Sequence, residues 1–224
     1  MRSKPSRQSI GAVRNSEAHQ SILAAASQIL NESGYAGFTI EAVARRAGAS
    51  KPTIYRWWTG KAALIMELYE SEREEALSVS DRGSLERELI VRMRNLWRLW
   101  QTTPLGSALR SIIAEAQIHT NALTQLREEF LPKRRMSTRA LFTRAIARGE
   151  ISAAADIEAA NTLIYSFNWY HLLTHQLDDE STIDRYVRMI VAGLKHDGRG
   201  TKEGALHGAN DLPAKRPKRR VSRG

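Results

Sequence analysis

YAGFTIEAVARRAGASKPTIYRWWTGK, residues 35–61, reads as two short helices joined by a glycine turn. Thr39 is placed to cap the first helix, and Glu41 sits in its positively polarised first turn. Ile40, Val43 and Ala44 give that helix one apolar face and leave Arg45 and Arg46 outside. Gly48 falls where the chain must turn sharply, a position suited to a residue that tolerates positive φ. Ser50 then caps a second helix. Pro52 costs it little, because first-turn N–H groups have no intrahelical partner. Ile54 and Trp58 point inward, while Lys51, Thr53, Tyr55, Arg56 and Trp57 point outward. Donors, a cation and aromatic rings on one short face suit a helix that lies in a DNA major groove.

The fuller order of residues resembles the tetracycline-repressor (TetR) family of one-component bacterial regulators. The resemblance rests on Gly34-Tyr35, Thr39-Ile40, Ala44, Ala47-Gly48-Ala49-Ser50, Ile54-Tyr55, Trp58 and Lys61, and it spans roughly residues 17–69. It implies an N-terminal three-helix DNA-binding domain and a C-terminal helical domain, over residues 84–195, for effector binding and dimerisation. Farther along, Ala147-Arg148-Gly149-Glu150 followed by Asp156 also matches many family members.

Composition narrows the alternatives. Hydrophobic residues make up 42% of the 224, enough for a core. Cysteine is absent, which excludes disulfides and thiolate zinc sites and is compatible with a reducing cytosol. No apolar run approaches the ~18 residues of a membrane-spanning helix, and the basic start lacks a signal peptide's apolar core. A cytoplasmic protein is expected. The net charge of +10 is concentrated at the ends: residues 1–16 carry +4 and residues 196–224 carry +5, leaving +1 for 17–195. Both ends lack apolar periodicity and read as disordered basic tails. The cluster Lys215-Arg216-Pro217-Lys218-Arg219-Arg220 suits either a solubilising tail or added DNA affinity.

Helical periodicity runs through the remainder. Ile22, Ala25, Ala26, Ile29 and Leu30 mark a first helix, closed by Gly34. Leu64, Ile65, Leu68 and Tyr69 begin a fourth, expected to continue to about residue 79. Leu85, Leu89, Met93, Leu96, Trp97 and Trp100 form one stripe; after Pro104, Leu105, Ala108, Leu109, Ile112, Ile113 and Ala116 form another. Residues 121–148 predict a long helix kinked or restarted at Pro132 and ended by Gly149. Asp156 is placed to cap a helix reaching about His175. Ile183, Tyr186, Val187, Ile190, Val191 and Leu194 define the last. No alternating Val/Ile/Thr stretch suggests a sheet. The fold class is all-α, with about nine helices.

The resemblance also implies roles within the motif. Tyr55 matches a tyrosine whose hydroxyl meets a phosphate, and Lys61 a lysine at the start of the fourth helix that also faces phosphate. Thr39, at a helix N-terminus, is a third phosphate candidate. Such contacts position the protein, while base edges carry the sequence information. Ser50, Lys51, Thr53 and Arg56 are the candidates near base edges. Trp57 departs from the usual His, Tyr or Arg, and Gly60 replaces a capping Ser. One such helix covers few base pairs, so a homodimer on a palindromic double-stranded operator is expected, with helices 156–175 and 183–194 as the interface.

On the effector side, Trp97, Trp100, Phe130, Phe142, Tyr165, Phe167 and Trp169 are many rings for one helical domain. They suit a pocket for a planar or lipophilic ligand, oriented by Asn168, His119, Gln117 or Arg110, and equally suit core and dimer packing. His171 and His175, four apart, share a helix face but lack a third ligand nearby, so neither a metal nor another cofactor is expected. No His-Glu-x-x-His, phosphate-cradling Gly-rich loop or nucleophile elbow points to an enzyme. A repressor released by a small molecule is the leading expectation, with activation left open by the unknown operator position. A non-specific architectural DNA-binding protein driven by basic tails is the alternative.

Overall fold

The computed structural model describes the backbone of residues 10–197, and the side chains of 16–132 and 136–195. Residues 1–9 and 198–224, which hold most of the two expected basic tails and the Lys215–Arg220 cluster, lie outside the described residues. Among the described residues there is no strand. Ten α-helices follow one another: α1 (Ile10–Gly37), α2 (Ile40–Ala47), α3 (Lys51–Tyr55), α4 (Lys61–Ala76), α5 (Leu85–Thr102), α6 (Leu105–Ile118), α7 (Thr120–Gln125), α8 (Leu131–Ala147), α9 (Ile157–Leu173) and α10 (Ser181–Asp197). A π-helical turn, Leu126–Phe130, joins α7 to α8.

Local sequence signals account for most boundaries. α1 breaks at Gly34, whose φ of 62° and ψ of −174° leave the helical region. The Thr39 hydroxyl accepts from the Ala42 N–H at 3.1 Å, Ser50 from Thr53 at 3.2 Å, and Asp156 from Ala159 at 2.9 Å. Gly48 ends α2 in the left-handed region, where a Cβ would be strained. Gly60 starts α4 with no side-chain cap.

Three boundaries differ from expectation, and one of them is the end of α4, at Ala76 where about residue 79 was expected. The first helix begins at Ile10, inside the segment 1–16 expected to be an irregular arm. Gly11 is the sole glycine and no proline falls between Ile10 and Ser33, so nothing in that run breaks a helix. The helical segment over 121–148, expected to kink or restart at Pro132, restarts at Leu131 after the π turn. Pro132 supplies the reason: its ring displaces the carbonyl four residues back and it has no N–H to donate there, which an inserted π turn accommodates. Finally, α9 ends at Leu173, and His175 has left it with a φ of 58°. The two histidines therefore do not share a helix face. His171 instead packs between Phe167, at 4.2 Å, and Trp97, at 5.0 Å.

The N-terminal core gathers Ile22, Ala26, Leu30, Phe38, Val43, Ile54, Trp58, Leu64 and Ile65 between α1 and α4. Farther along the chain, Leu85, Leu89, Trp97, Phe142, Ile183 and Val187 pack α5, α8 and α10 together. A hydrogen bond from the Tyr186 hydroxyl to the Leu163 carbonyl, 2.9 Å, joins α10 to α9. Leu163, Tyr170, Leu173 and Met189 on these two helices remain exposed. No helix among the described residues is long and apolar enough to cross a membrane.

Candidate nucleic-acid interface and adjoining cleft

α2, the Gly48 turn and α3 form a helix-turn-helix. Ile54, fully buried, and Trp58, 3% exposed, anchor the second helix, so its other residues must face outward. Lys51, Tyr55 and Arg56 are exposed, with Tyr55 52% accessible. Thr53 is partly covered, its hydroxyl 2.9 Å from that of Ser50. Ser50 is itself committed to capping. The Lys51 ammonium donates to Glu41 at 2.8 Å across the turn, which holds α3 against α2 and lowers the Glu41 carboxyl below its usual range. Arg46 makes a two-pronged contact with Glu32 at 2.7 and 2.8 Å.

Two more expected DNA-facing residues, Trp57 and Lys61, are also engaged within the protein. Trp57 is half-buried, edge-on to His19 at 5.4 Å and to Trp58 at 5.5 Å, with the Arg56 guanidinium over its ring at 4.9 Å. The Lys61 ammonium lies 3.6 Å from a Glu115 oxygen and 4.1 Å from the centre of the Tyr35 ring. The Tyr35 hydroxyl donates to Glu115 at 2.6 Å. Burial, and then that carboxylate, raise the Tyr35 phenol above its ordinary value. Glu115 on α6 thus binds the end of α1 and the start of α4 together. A second tie runs from the Gln125 amide to the Thr59 hydroxyl at 3.0 Å.

Beside these ties lies a cleft of about 990 Å³, walled by α4, the 77–79 link, α5, the π turn and α8. Met66, Leu77, Phe130, Met136 and Leu141 supply apolar lining, and Trp57 and Trp58 form the wall nearest the helix-turn-helix. Arg73 and Arg92 meet on one serine: their guanidiniums donate to the Ser137 hydroxyl oxygen at 3.0 and 2.7 Å. Arg73 also pairs with Glu70 at 3.2 Å. Arg144 pairs with the fully buried Glu88 at 2.7 Å, and Arg148 reaches the other Glu88 oxygen at 3.0 Å. Arg92 has no carboxylate within ion-pair distance among the described residues. Its second donor goes to the Leu77 carbonyl at 2.7 Å. Burial first, then the facing charge of Arg73, pushes Arg92 down to about 10.

None of the nine residues expected to form the effector pocket lines this cleft. Trp97 is fully buried and donates to Asn168 at 2.8 Å, and the Asn168 amide is spent on the Ile164 carbonyl at 2.7 Å. Trp100 donates to the Tyr69 hydroxyl at 2.8 Å, and Phe142 is fully buried. Trp169 and Arg110 are partly buried elsewhere, Tyr165 is partly buried near Arg92 without lining the cleft, and Gln117 and His119 are exposed at the end of α6. The rings are mainly core. Phe130, alone of the seven aromatics singled out from the sequence, reaches the cleft. The residues that sequence reasoning passed over, Arg73 and Arg92, carried a readable signal. Arg73 follows Tyr69 by four on the buried face of α4, and Arg92 falls between Leu89 and Leu96 on α5.

Comparison with known proteins accords with this geometry. Residues 22–68 match the family of bacterial regulatory proteins, tetR family, and residues 79–190 match the tetracyclin repressor-like C-terminal domain. The chain is 34% identical to the HTH-type transcriptional regulator YdeS of Bacillus subtilis, covering 81% of this chain and 89% of that protein. It is 31% identical to the DNA-binding transcriptional repressor TetR of Mycobacteroides abscessus, over 79% of this chain and 93% of that one. Among solved structures, the TetR family transcription regulator SCO0332 superposes with a TM-score of 0.71 at 27% identity, over 79% of this chain and 98% of that one.

Proposed function

Since the chain belongs to the TetR family of DNA-binding transcriptional regulators, we propose that it acts as a homodimeric cytoplasmic repressor, released from a palindromic operator when a small ligand enters the cleft. Residues 17–69, with α4 continuing beyond them, are the DNA-binding part; residues 84–195 hold the effector and the dimer interface. The observation that carries this reading is the shared wall. Trp57 and Trp58, at the end of the recognition helix, also line the cleft, so a ligand there touches the element that reads DNA. The cleft volume lies in the range usual for small-molecule sites.

On DNA, Tyr55, Lys61 and the N-terminus of α2 at Thr39 would meet phosphates, while Lys51, Thr53 and Arg56, with Ser50, face base edges. Trp57 contributes chiefly by packing. The exposed apolar residues of α9 and α10 suit the dimer contact, which would set the spacing of two recognition helices. Ligand binding would release DNA only by favouring a conformation in which that spacing is wrong. Catalysis forms no part of this reading.

The test is binding of the purified protein to DNA from immediately upstream of its own coding sequence, against a scrambled duplex at about physiological salt. A preference of about a hundredfold, roughly 2.7 kcal/mol, is expected. Equal binding to both duplexes would favour the architectural alternative.

A further inference from the structure

The cleft has electrical polarity along its length. Toward the helix-turn-helix, Glu67 is held by His19 at 2.9 Å and by the Trp58 indole at 2.6 Å, and Glu129 also lines the wall, while Glu74 lies one residue beyond Arg73 on α4. At the other end Arg73 and Arg92 meet at Ser137, and Arg144 lies nearby on the Val79 carbonyl. Two of them have carboxylates: Arg73 has Glu70, and Arg144 shares Glu88 with Arg148. Arg92 is the surplus charge. Its two acceptors, a carbonyl and a hydroxyl, are both neutral, so they satisfy donors without balancing the cation. Arg92 is only partly open to water, and a half-buried guanidinium without a carboxylate is less well balanced than a paired one. Two guanidiniums sharing one hydroxyl also present a fork that matches an oxyanion.

We propose that this end of the cleft is an oxyanion subsite, in which Arg92 and Arg73 receive the acidic head of an amphipathic effector whose apolar body lies on Phe130, Leu141 and Met66 toward Trp58. The proposal rests on the reading of the cleft as the effector site and adds the chemical class of the effector. Glu67, nearer the helix-turn-helix, opposes the reverse orientation of head and body. Burial and the neighbouring guanidiniums already depress Arg92, and the opposite charge of a bound anion would offset both by favouring the charged form.

Two fluorescent probes that differ by one sulfonate test this: 1-anilinonaphthalene-8-sulfonate and its uncharged parent, N-phenyl-1-naphthylamine. The full chain should bind the sulfonate at least tenfold more tightly. Arg92→Met should remove that preference while leaving the uncharged probe's affinity unchanged. Ser137→Asp, which places a carboxylate between the two guanidiniums, should remove it as well and raise the melting temperature; it also serves if Arg92→Met does not fold. A preference that survives both variants, or variants that weaken both probes equally, would overturn the oxyanion subsite and leave the cleft a ligand site. Ala140→Trp, which fills the cleft, should weaken both probes. Unchanged binding of both in that variant would overturn the subsite together with the cleft's role as effector site.

Discussion

Replacing Glu115 by Gln tests whether the C-terminal domain holds back a DNA contact. In the free protein the Lys61 ammonium rests 3.6 Å from a Glu115 oxygen, with the two side chains 35% and 42% exposed. A pair so open to water is worth about 0.2–1 kcal/mol. Lys61 must give up that amount to reach a phosphate. Glutamine keeps an acceptor for the Tyr35 hydroxyl but removes the charge, so each protomer should gain about 1.4- to fivefold in DNA affinity. Two protomers on one operator give roughly two- to 30-fold. The gain should appear equally on operator and scrambled duplexes, because a phosphate contact carries no sequence information. Fluorescence anisotropy of wild type and Glu115→Gln on both duplexes, across a salt series, measures it. Unchanged affinity would show that Lys61 does not exchange partners. Weaker binding would show that the Tyr35–Glu115–Lys61 tie aligns the helix-turn-helix for DNA, the reverse of the reasoning given.

Other substitutions have sharper consequences for stability. Glu88→Leu leaves Arg144 and Arg148 facing an apolar side chain; Arg148 keeps Glu150 and Asp81, so the loss should fall near the lower end of the range for broken buried pairs, about 3 kcal/mol, read from urea denaturation. Asn168→Leu strands the fully buried Trp97 N–H and should cost about 1–3 kcal/mol, whereas a loss below about 0.5 kcal/mol would mean that another acceptor takes over. The Tyr35 phenol titrates higher in the folded state than its ordinary value near 10. Its contribution to stability is therefore complete below about pH 10 and lost as pH rises through the raised folded value. Melting temperatures from pH 8 to 12 should fall more steeply in the wild type than in Tyr35→Phe.

The helix-turn-helix was legible because its determinants are local. Thr39, Ser50 and Asp156 each cap a helix through an N–H three residues on, and Gly48 supplies a left-handed residue where the turn needs one. Ile54 and Trp58 are separated by one helical turn, so their shared interior face followed from spacing alone. The effector side depended on contacts far apart in sequence. Trp97 and Asn168 are 71 residues apart, and their hydrogen bond makes the tryptophan core. The cleft wall combines residues from 57 to 144, and its shape depends on the π turn at 126–130. Pro132 announced an irregularity there without saying which way the chain would bend.

Under the proposed function, the placement of charge would join ligand and DNA without a long relay. α4 carries both ends of the problem: Lys61 and Glu67 lie beside the recognition helix, while Glu70 and Arg73 lie in the cleft within the next two turns. A ligand head drawn to Arg73 and Arg92 would compete with Ser137 for the same donors, and so alter how α4 and α5 are pinned to α8. The same helix begins at Lys61, whose partner Glu115 belongs to α6. A small rotation of α4 against α6 must therefore change the Lys61 contact and tilt Trp58, whose indole is fixed to Glu67 at 2.6 Å. The coupling needs no network beyond this one helix and the side chains attached to it, which is why Arg92 and Glu115 variants should act on DNA affinity in the same assay although neither residue faces the DNA.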